Sequence, residues 1–299
     1  LKNKLMTNFG PRFVDEKFRF FIGDVRDQDR LKKALRGVDD VIHAAALKHV
    51  PFCEYNPDEA LKTNVIGTQN VCEMAIEAGV KKVIFLSTDK AVEPINFYGS
   101  TKMLAEKYSV YSNNYSQNVN GSNKKLTKIS CVRYGNIVGS RGSIVELFTS
   151  MKKNEYFTIT DAEMTRFWMD ISDCVQMVAW SLKNTKGGEI IIPKISASKV
   201  SDIAFAIDKN KPVKITGVRP GEKIHEQLLN RREAERTYDL GNYYVILPET
   251  IDWDNNIEKH YKKFKKIDRI TYASNDSDLQ MSVKDIKRII ANKARLDER

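Results

Sequence analysis

Through its first two-thirds the chain alternates short apolar runs with amphipathic segments, and that alternation admits few folds. Phe18 to Gly23 reads as a strand that ends at Asp24-Val25-Arg26-Asp27, and Gln28 to Leu35 as a helix with Asp27 as its N-cap. Asp40 to His43, Lys82 to Leu86 and Lys128 to Arg133 are further strands. Between them, Pro57 to Ala78 carries apolar residues at helical spacing (Ala60, Leu61, Val65, Val71, Met74, Ala75) and is closed by Gly79. Asn96 to Tyr115 follows as a second long helix, and Asn118 to Asn123 has loop composition. Strands that read as nearly continuous apolar runs, joined by helices, predict an α/β fold: a doubly wound parallel sheet covered on both faces.

Beyond Tyr134 the pattern loosens. Glycines cluster at Gly135, Gly139 and Gly142, and Phe157 to Ile159, Glu189 to Ile192 and Val213 to Ile215 are short strand candidates. This suits a smaller C-terminal substrate lobe, so the expected division is 1–155 for a dinucleotide-binding domain and 156–299 mainly for the lobe, with some segments returning to the first domain. A last helix is expected from Val283 to Ala294 in a lysine-rich tail.

Composition narrows the setting. No apolar run approaches the ~18 residues of a membrane span, and no secretory leader is visible at Leu1 to Arg12, so a cytoplasmic protein is expected. Lys and Arg outnumber Asp and Glu by 49 to 39, but the cations are dispersed among acids, which predicts a solvated basic surface suited to an anionic small ligand and not to nucleic acid. Cys53, Cys72, Cys131 and Cys174 lie far apart, so they read as reduced core residues and no metal site is expected; Cys53 has the best claim to lie near a site.

The chemistry concentrates in Ser87-Thr88-Asp89-Lys90 and in Tyr98 and Lys102, which follow directly on an apolar strand. Tyr98 and Lys102 are spaced i, i+4 and share one helix face, where an ammonium can lower the pKa of a phenol. A tyrosine tuned in that way can take the proton of a sugar hydroxyl while hydride leaves the same carbon. A glycine-rich pyrophosphate turn is not found, although the strand pattern is that of a dinucleotide-binding sheet. A preceding strand-helix-strand unit of about 40 residues is therefore expected in the intact protein.

The Gly23-Asp24-Val25 turn, His43-Ala44-Ala45-Ala46, Asn64 and Tyr98-x-x-x-Lys102, in that order and spacing, resemble the extended short-chain dehydrogenase/reductases. His43 to Pro51, Glu54 to Pro57, Ser87 to Ala91, Arg133 to Asn136, Gly139 to Ser143, Met164 to Trp168 and Arg219 to Lys223 narrow the likeness to nucleotide-sugar 4,6-dehydratases acting on UDP-N-acetylglucosamine. The likeness runs from Leu1 to about Leu247 and, with tyrosine at position 98, is nearest the small soluble inverting branch that opens pseudaminic acid synthesis for flagellin glycosylation and surface polysaccharide.

The resemblance implies a Rossmann-like fold, NADP as cofactor, and a symmetric homo-oligomer, a hexamer among the candidates. It implies conversion of the substrate to UDP-2-acetamido-2,6-dideoxy-β-L-arabino-hexos-4-ulose. Tyr98, activated by Lys102, would deprotonate the carbon 4 hydroxyl; Asp89 would be the acid for the departing carbon 6 hydroxyl; Lys90, with a depressed pKa, would be the base at carbon 5; and Thr88 would bond the carbon 4 oxygen. Asp24, Val25, Ala44, Ala45, Ala46, Lys48, Leu86 and Ser87 would join Tyr98 and Lys102 around the cofactor. Lys48 would also line the substrate cleft, and Asn136, Ile137, Val138, Gly139, Ser140 and Arg141 would wrap the uridine diphosphate. Thr160, Met164 and Arg166 would form the uracil and ribose side, with Arg219 and Glu222 closing over diphosphate and ribose. His43 reads as a hydrogen-bonded core histidine and Asn64 as a buried polar brace. Two other readings stay open: a UDP-sugar 4-epimerase, which needs Tyr98 but not Asp89 and Lys90, and a non-catalytic nucleotide-binding module.

Overall fold

A computed structural model describes residues 2–116, 126–140, 143–151 and 156–297. Three apolar runs form parallel strands β1 (Asp40–His43), β2 (Lys82–Leu86) and β3 (Lys128–Val132), paired in the register Val41↔Val83↔Ile129. Val83 and Ile129 meet Cys72 and Ala75 of the helix Gly67–Ala78 on one face, while Ile84 and Cys131 meet Cys174 and Met177 of the helix Ile171–Asn184 on the other. Both faces are dry, which is why these strands lack the alternation of a half-exposed sheet.

The C-terminal half then returns to the same sheet. Strand β4 (Ile190–Pro193) lies parallel to β3, and β5 (Thr237–Asp239), β6 (Tyr243–Ile246) and β7 (Lys265–Lys266) extend the sheet antiparallel, giving the order β1-β2-β3-β4-β6-β5-β7. Phe148, Phe157, Trp168, Ile203 and Ile286 form a second core, around the strand Thr165–Met169 and the pair Phe157–Ile159 with Val213–Ile215. The loop expected at 118–123 lies outside the described residues. Among the described residues no helix is long and apolar enough to cross a membrane.

Three local expectations change. Phe18 to Gly23 is not a strand: its phenylalanines are exposed and no described strand lies along the free edge of β1, so the segment has no ladder to join. The helix expected from 57 to 78 is interrupted by a π-turn at Lys62–Ile66, whose extra residue carries Asn64 inward. There the Asn64 amide brackets Leu47, accepting from its N–H at 2.8 Å and donating to its carbonyl at 2.9 Å, and donates to Thr101 at 3.0 Å, so it is the polar brace read from the sequence. The helix from Phe97 stops at Tyr111, because Asn113 turns its amide back to Ile129 in β3, donating to the carbonyl at 2.8 Å and accepting from the N–H at 3.0 Å.

All four cysteines are buried and free. His43 is also buried, 2.9 Å from the Thr68 hydroxyl, and burial assisted by the Lys102 charge pulls its pKa down to about 3. The unfolded chain takes up a proton on this imidazole below about pH 6.5 and the folded chain does not until about pH 3, so the contribution to stability falls as pH drops through that window. Urea unfolding at pH 7 and pH 5 is expected to show a loss of about 2 kcal/mol from this residue, at ~1.4 kcal/mol per unit below 6.5. His43→Gln removes that part of the pH dependence; an equally steep loss in the variant would exclude His43 as its source.

Candidate active site

Strand β2 delivers its carboxyl end directly to the reactive run. Pairing continues beyond the strand ends, Ser87 N–H donating to the Val132 carbonyl at 2.7 Å and Asp89 N–H to the Tyr134 carbonyl at 3.0 Å. Asp89–Ala91 then closes a 3₁₀ turn capped by the Thr88 hydroxyl, which accepts from Lys90 N–H and donates to Asp89 Oδ1 at 2.9 Å. From this turn the chain passes through Glu93 at φ +45°, held from the side by Lys223, whose ammonium donates to the Val92 carbonyl at 2.6 Å. Left-handed backbone at a non-glycine residue costs ~1 kcal/mol or more and persists only where neighbours enforce it.

The helix Phe97–Tyr111 starts at Asn96, whose side chain accepts from Gly99 N–H at 2.7 Å and donates to the Gly221 carbonyl at 2.8 Å. Gly99 is obligatory because a methyl there would stand 2.3 Å from the Lys90 carbonyl oxygen. That close approach sets Tyr98, on the first helical turn, beside the Thr88-Asp89-Lys90 turn. Cys53 packs with Ala60 and Tyr98 in one small cluster, which places this cysteine behind the phenol.

A cleft of about 490 Å³ opens over this junction. Its walls include Ala44, Ala46, Lys48, Leu86, Ser87, Thr88, Lys90, Tyr98 and Lys102, and on the far side Tyr134, Asn136, Ile137 and Ser140. Asp89 lies fully buried below Lys90. Asp24, Val25 and Ala45, expected at the cofactor, are not in this wall: Asp24 is paired with Arg26 at 2.7 Å and Val25 packs over Gly67. Val138 points into the second core, Gly139 turns the chain at φ +71°, and Arg141 lies outside the described residues. Thr160 bonds the Met164 sulfur at 3.2 Å, and Met164 is buried. Arg166 donates to the carbonyls of Thr165 and Ile224 and lies 3.6 Å from Glu222; the Arg219 N–H donates to Glu222 at 3.4 Å. None of the described residues among these lines the cleft.

The protonation states differ from the sequence expectation in two places. Burial pushes the Tyr98 phenol up to about 12; the opposing influences are the Lys90 charge and the Thr88 side chain. Lys102, expected to activate it, is buried with its amine donating to the Leu86 carbonyl at 2.7 Å and standing 4.0 Å over the Phe85 ring, and burial draws its pKa down to about 8. Lys90, expected to be depressed, is instead raised: burial pulls it down, but two carboxylates outweigh that, Asp89 Oδ1 at 3.2 Å and Glu226 Oε1 at 3.1 Å. Asp89 itself is raised, by burial and by Glu226, so it holds its proton more tightly than an ordinary aspartate. Its Oδ1 is engaged by Thr88 and Lys90 while Oδ2 is buried without a partner.

Glu226 was not anticipated. It closes the run Arg219-Pro220-Gly221-Glu222-Lys223-Ile224-His225-Glu226, three residues beyond the Arg219 to Lys223 motif. No local pattern connects it to Lys90, because the contact is made only when the strand Gln227–Leu229 pairs with Tyr272–Ala273 and swings this loop across the sheet end.

Comparison with known proteins points one way on family. The polysaccharide biosynthesis protein family matches residues 2–248. The UDP-N-acetylglucosamine 4,6-dehydratase (inverting) of Campylobacter jejuni is 46% identical over 279 residues, covering 91% of this chain and 82% of that one. The UDP-glucose 4-epimerase of Rickettsia akari is 38% identical over 281 residues, 92% and 80% of the two chains. Among solved structures, Pen from Bacillus thuringiensis superposes with a TM-score of 0.83 at 33% identity, over 98% of this chain and 87% of its own.

Proposed function

This chain belongs to the polysaccharide biosynthesis protein family, among the extended short-chain dehydrogenase/reductases, and from that premise we propose that it is a hydro-lyase, a UDP-N-acetylglucosamine 4,6-dehydratase that inverts carbon 5. The observation that carries this reading is the junction of Asp89 and Lys90 with Tyr98 at one cleft. An oxidoreductase centre alone requires only the tyrosine and its lysine; the acid and amine beside them serve carbons 5 and 6.

A nicotinamide nucleotide fits the strand-end wall. Ala44 and Ala46 leave room there, and Ser87 Oγ is buried beside them without a hydrogen-bond partner. These residues, with Leu86, Tyr98 and Lys102, would hold it, and when bound it supplies reversible hydride storage. NADP is the form implied by the resemblance.

Tyr98 takes the proton of the carbon 4 hydroxyl as that carbon is oxidised, with Thr88 bonding the same oxygen. Because the phenol is raised, it depends on nearby positive charge: the Lys90 ammonium opposes the effect of burial, and Lys102, drawn down to about 8, is still largely an ammonium at pH 7. The carbon 4 carbonyl then acidifies carbon 5, and Lys90 removes that proton. Asp89, whose carboxyl burial holds above the usual aspartate range and whose Oδ2 is unpartnered, serves as the acid for the carbon 6 hydroxyl so that water departs. After carbon 6 is reduced, Lys90 returns a proton to carbon 5 on the opposite face.

Lys48 is proposed for the substrate cleft, Asn136, Ile137, Val138, Gly139, Ser140 and Arg141 for the uridine diphosphate, Thr160, Met164 and Arg166 for the uracil and ribose side, and Arg219 and Glu222 for closing over diphosphate and ribose. Of the last set the exposed Arg219 is best suited to meet an anion. A place at the start of pseudaminic acid synthesis, a cytoplasmic location and a homo-oligomeric state belong to the same reading and rest on the sequence resemblance.

A UDP-sugar 4-epimerase is the second reading, favoured by the Rickettsia akari likeness. Proton NMR of the protein with UDP-N-acetylglucosamine in deuterated water separates the two. A 6-deoxy-4-keto product carrying deuterium at carbon 5 is expected; a carbon 4 epimer with an unchanged carbon 6 would overturn the dehydratase.

A further inference from the structure

We propose that Lys223 is a positioning residue for the dehydration half of the reaction: it enforces the left-handed turn at Glu93 and so holds Asp89 and Lys90 in register with Tyr98. This rests on the dehydratase reading. That reaction asks neighbouring groups to act on one sugar ring, the phenol at carbon 4 and the acid and amine at carbons 5 and 6. In the chain they stand on separate elements, the 3₁₀ turn Asp89–Ala91 and the helix Phe97–Tyr111, joined by the link from Val92 to Asn96. The shape of that link sets where the acid and amine lie relative to the phenol.

The link is bent against its own preference. Glu93 has φ +45°, the only positive φ at a non-glycine position among the described residues. It also precedes Pro94, and a residue before proline favours an extended course at negative φ. The restraint comes from a loop remote in sequence. The half-buried Lys223 donates to the Val92 carbonyl, in the peptide that leads into Glu93, at 2.6 Å. Ala91 and Val92 are buried, so that peptide cannot swing outward without uncovering them.

The same loop grips the segment on either side of this bond. Glu226 Oε1 stands 3.1 Å from Lys90 Nζ, and the Gly221 carbonyl accepts from Asn96 Nδ2 at 2.8 Å. The helix that carries Tyr98 has a further anchor of its own, because Phe97 N–H donates to Glu54 Oε1 at 2.6 Å. Loss of Lys223 therefore frees the middle of the link while the phenol stays fixed, and the acid and amine drift relative to it. A drift of ~1 Å at a reacting group is enough to cost ~10²-fold in rate.

The test is Lys223→Met made in two backgrounds, Glu93→Gln and Glu93→Gly. Both backgrounds remove the Glu93 charge and differ in backbone freedom, since glycine takes positive φ about as readily as negative and glutamine does not. In Glu93→Gln, Lys223→Met is expected to lower water loss and carbon 5 deuterium entry by ~10- to 100-fold, with KM for UDP-N-acetylglucosamine unchanged. In Glu93→Gly the same change is expected to cost about threefold or less, because no strain is left to enforce. Equal falls in the two backgrounds, large or small, overturn the proposal: Lys223 would then act through its charge on Glu226, Asp89 and Lys90, or not at all. A raised KM at constant kcat overturns it too, by placing Lys223 in substrate binding. Should Lys223→Met fail to fold with Glu93→Gln, the Glu93→Gly background decides: a rate within about threefold of its Lys223 parent supports the proposal, and a larger fall or a failure to fold overturns it. Absence of water loss and of carbon 5 deuterium in the wild type would instead overturn the dehydratase reading itself, and this proposal with it.

Discussion

Tyr98→Phe is expected to lower turnover by ~10²- to 10⁴-fold, the range lost when a positioned proton-transfer group is removed. The ring of Tyr98 packs with Cys53 and Ala60, and phenylalanine preserves those contacts, so the variant should fold and bind nucleotide sugar as the wild type does. The loss belongs to the first chemical step. Every later event depends on the carbon 4 ketone, so the variant should also show no deuterium at carbon 5, even with Lys90 intact. Calorimetry for binding and NMR for exchange provide the two readouts. Deuterium entering carbon 5 at the wild-type rate would remove Tyr98 from the oxidation.

The largest effect on stability is expected at Arg133, at the end of β3, and it is independent of the reactive groups. Its guanidinium is almost fully buried and donates to Glu106 at 3.1 Å, to both Glu233 oxygens at 2.9 and 3.0 Å, and to the Leu228 carbonyl at 2.9 Å. Arg133→Met leaves two buried carboxylates without their cation and is expected to cost ~3–5 kcal/mol in urea unfolding. Adding Glu106→Gln and Glu233→Gln should recover part of that loss, because the cost lies in the stranded charges. A loss below ~1 kcal/mol in the single variant would show that water or another cation satisfies them. The site depends on this cluster: the next residue, Tyr134, provides the carbonyl that accepts from Asp89 N–H, and Asn136 and Ile137 continue as the cleft wall.

Much of the frame is legible in the sequence. The apolar runs at 40–43, 82–86 and 128–132 became parallel strands because a strand buried on both faces has to be apolar throughout. Gly79 ended its helix in the left-handed region, and Asp27 capped its own, since these signals act within a few residues of where they are written. Legibility stopped where a residue's state depended on a distant partner. Phe18 to Gly23 has strand composition, yet a strand exists only beside another strand.

The same boundary runs through the active site. Sequence alone determined that an acid, an amine and a phenol follow β2, and that Tyr98 and Lys102 share one helix face, because β-strand and helix periodicity are local properties of the chain. Which amine bears on the phenol, and in which direction each pKa moves, was decided only by tertiary structure. Lys102 turns to the Leu86 carbonyl, and Lys90 is enclosed by Asp89 and by Glu226 from a remote loop. A pKa shift is the balance of desolvation against charges brought close by folding, and neither can be read from the order of residues along the chain.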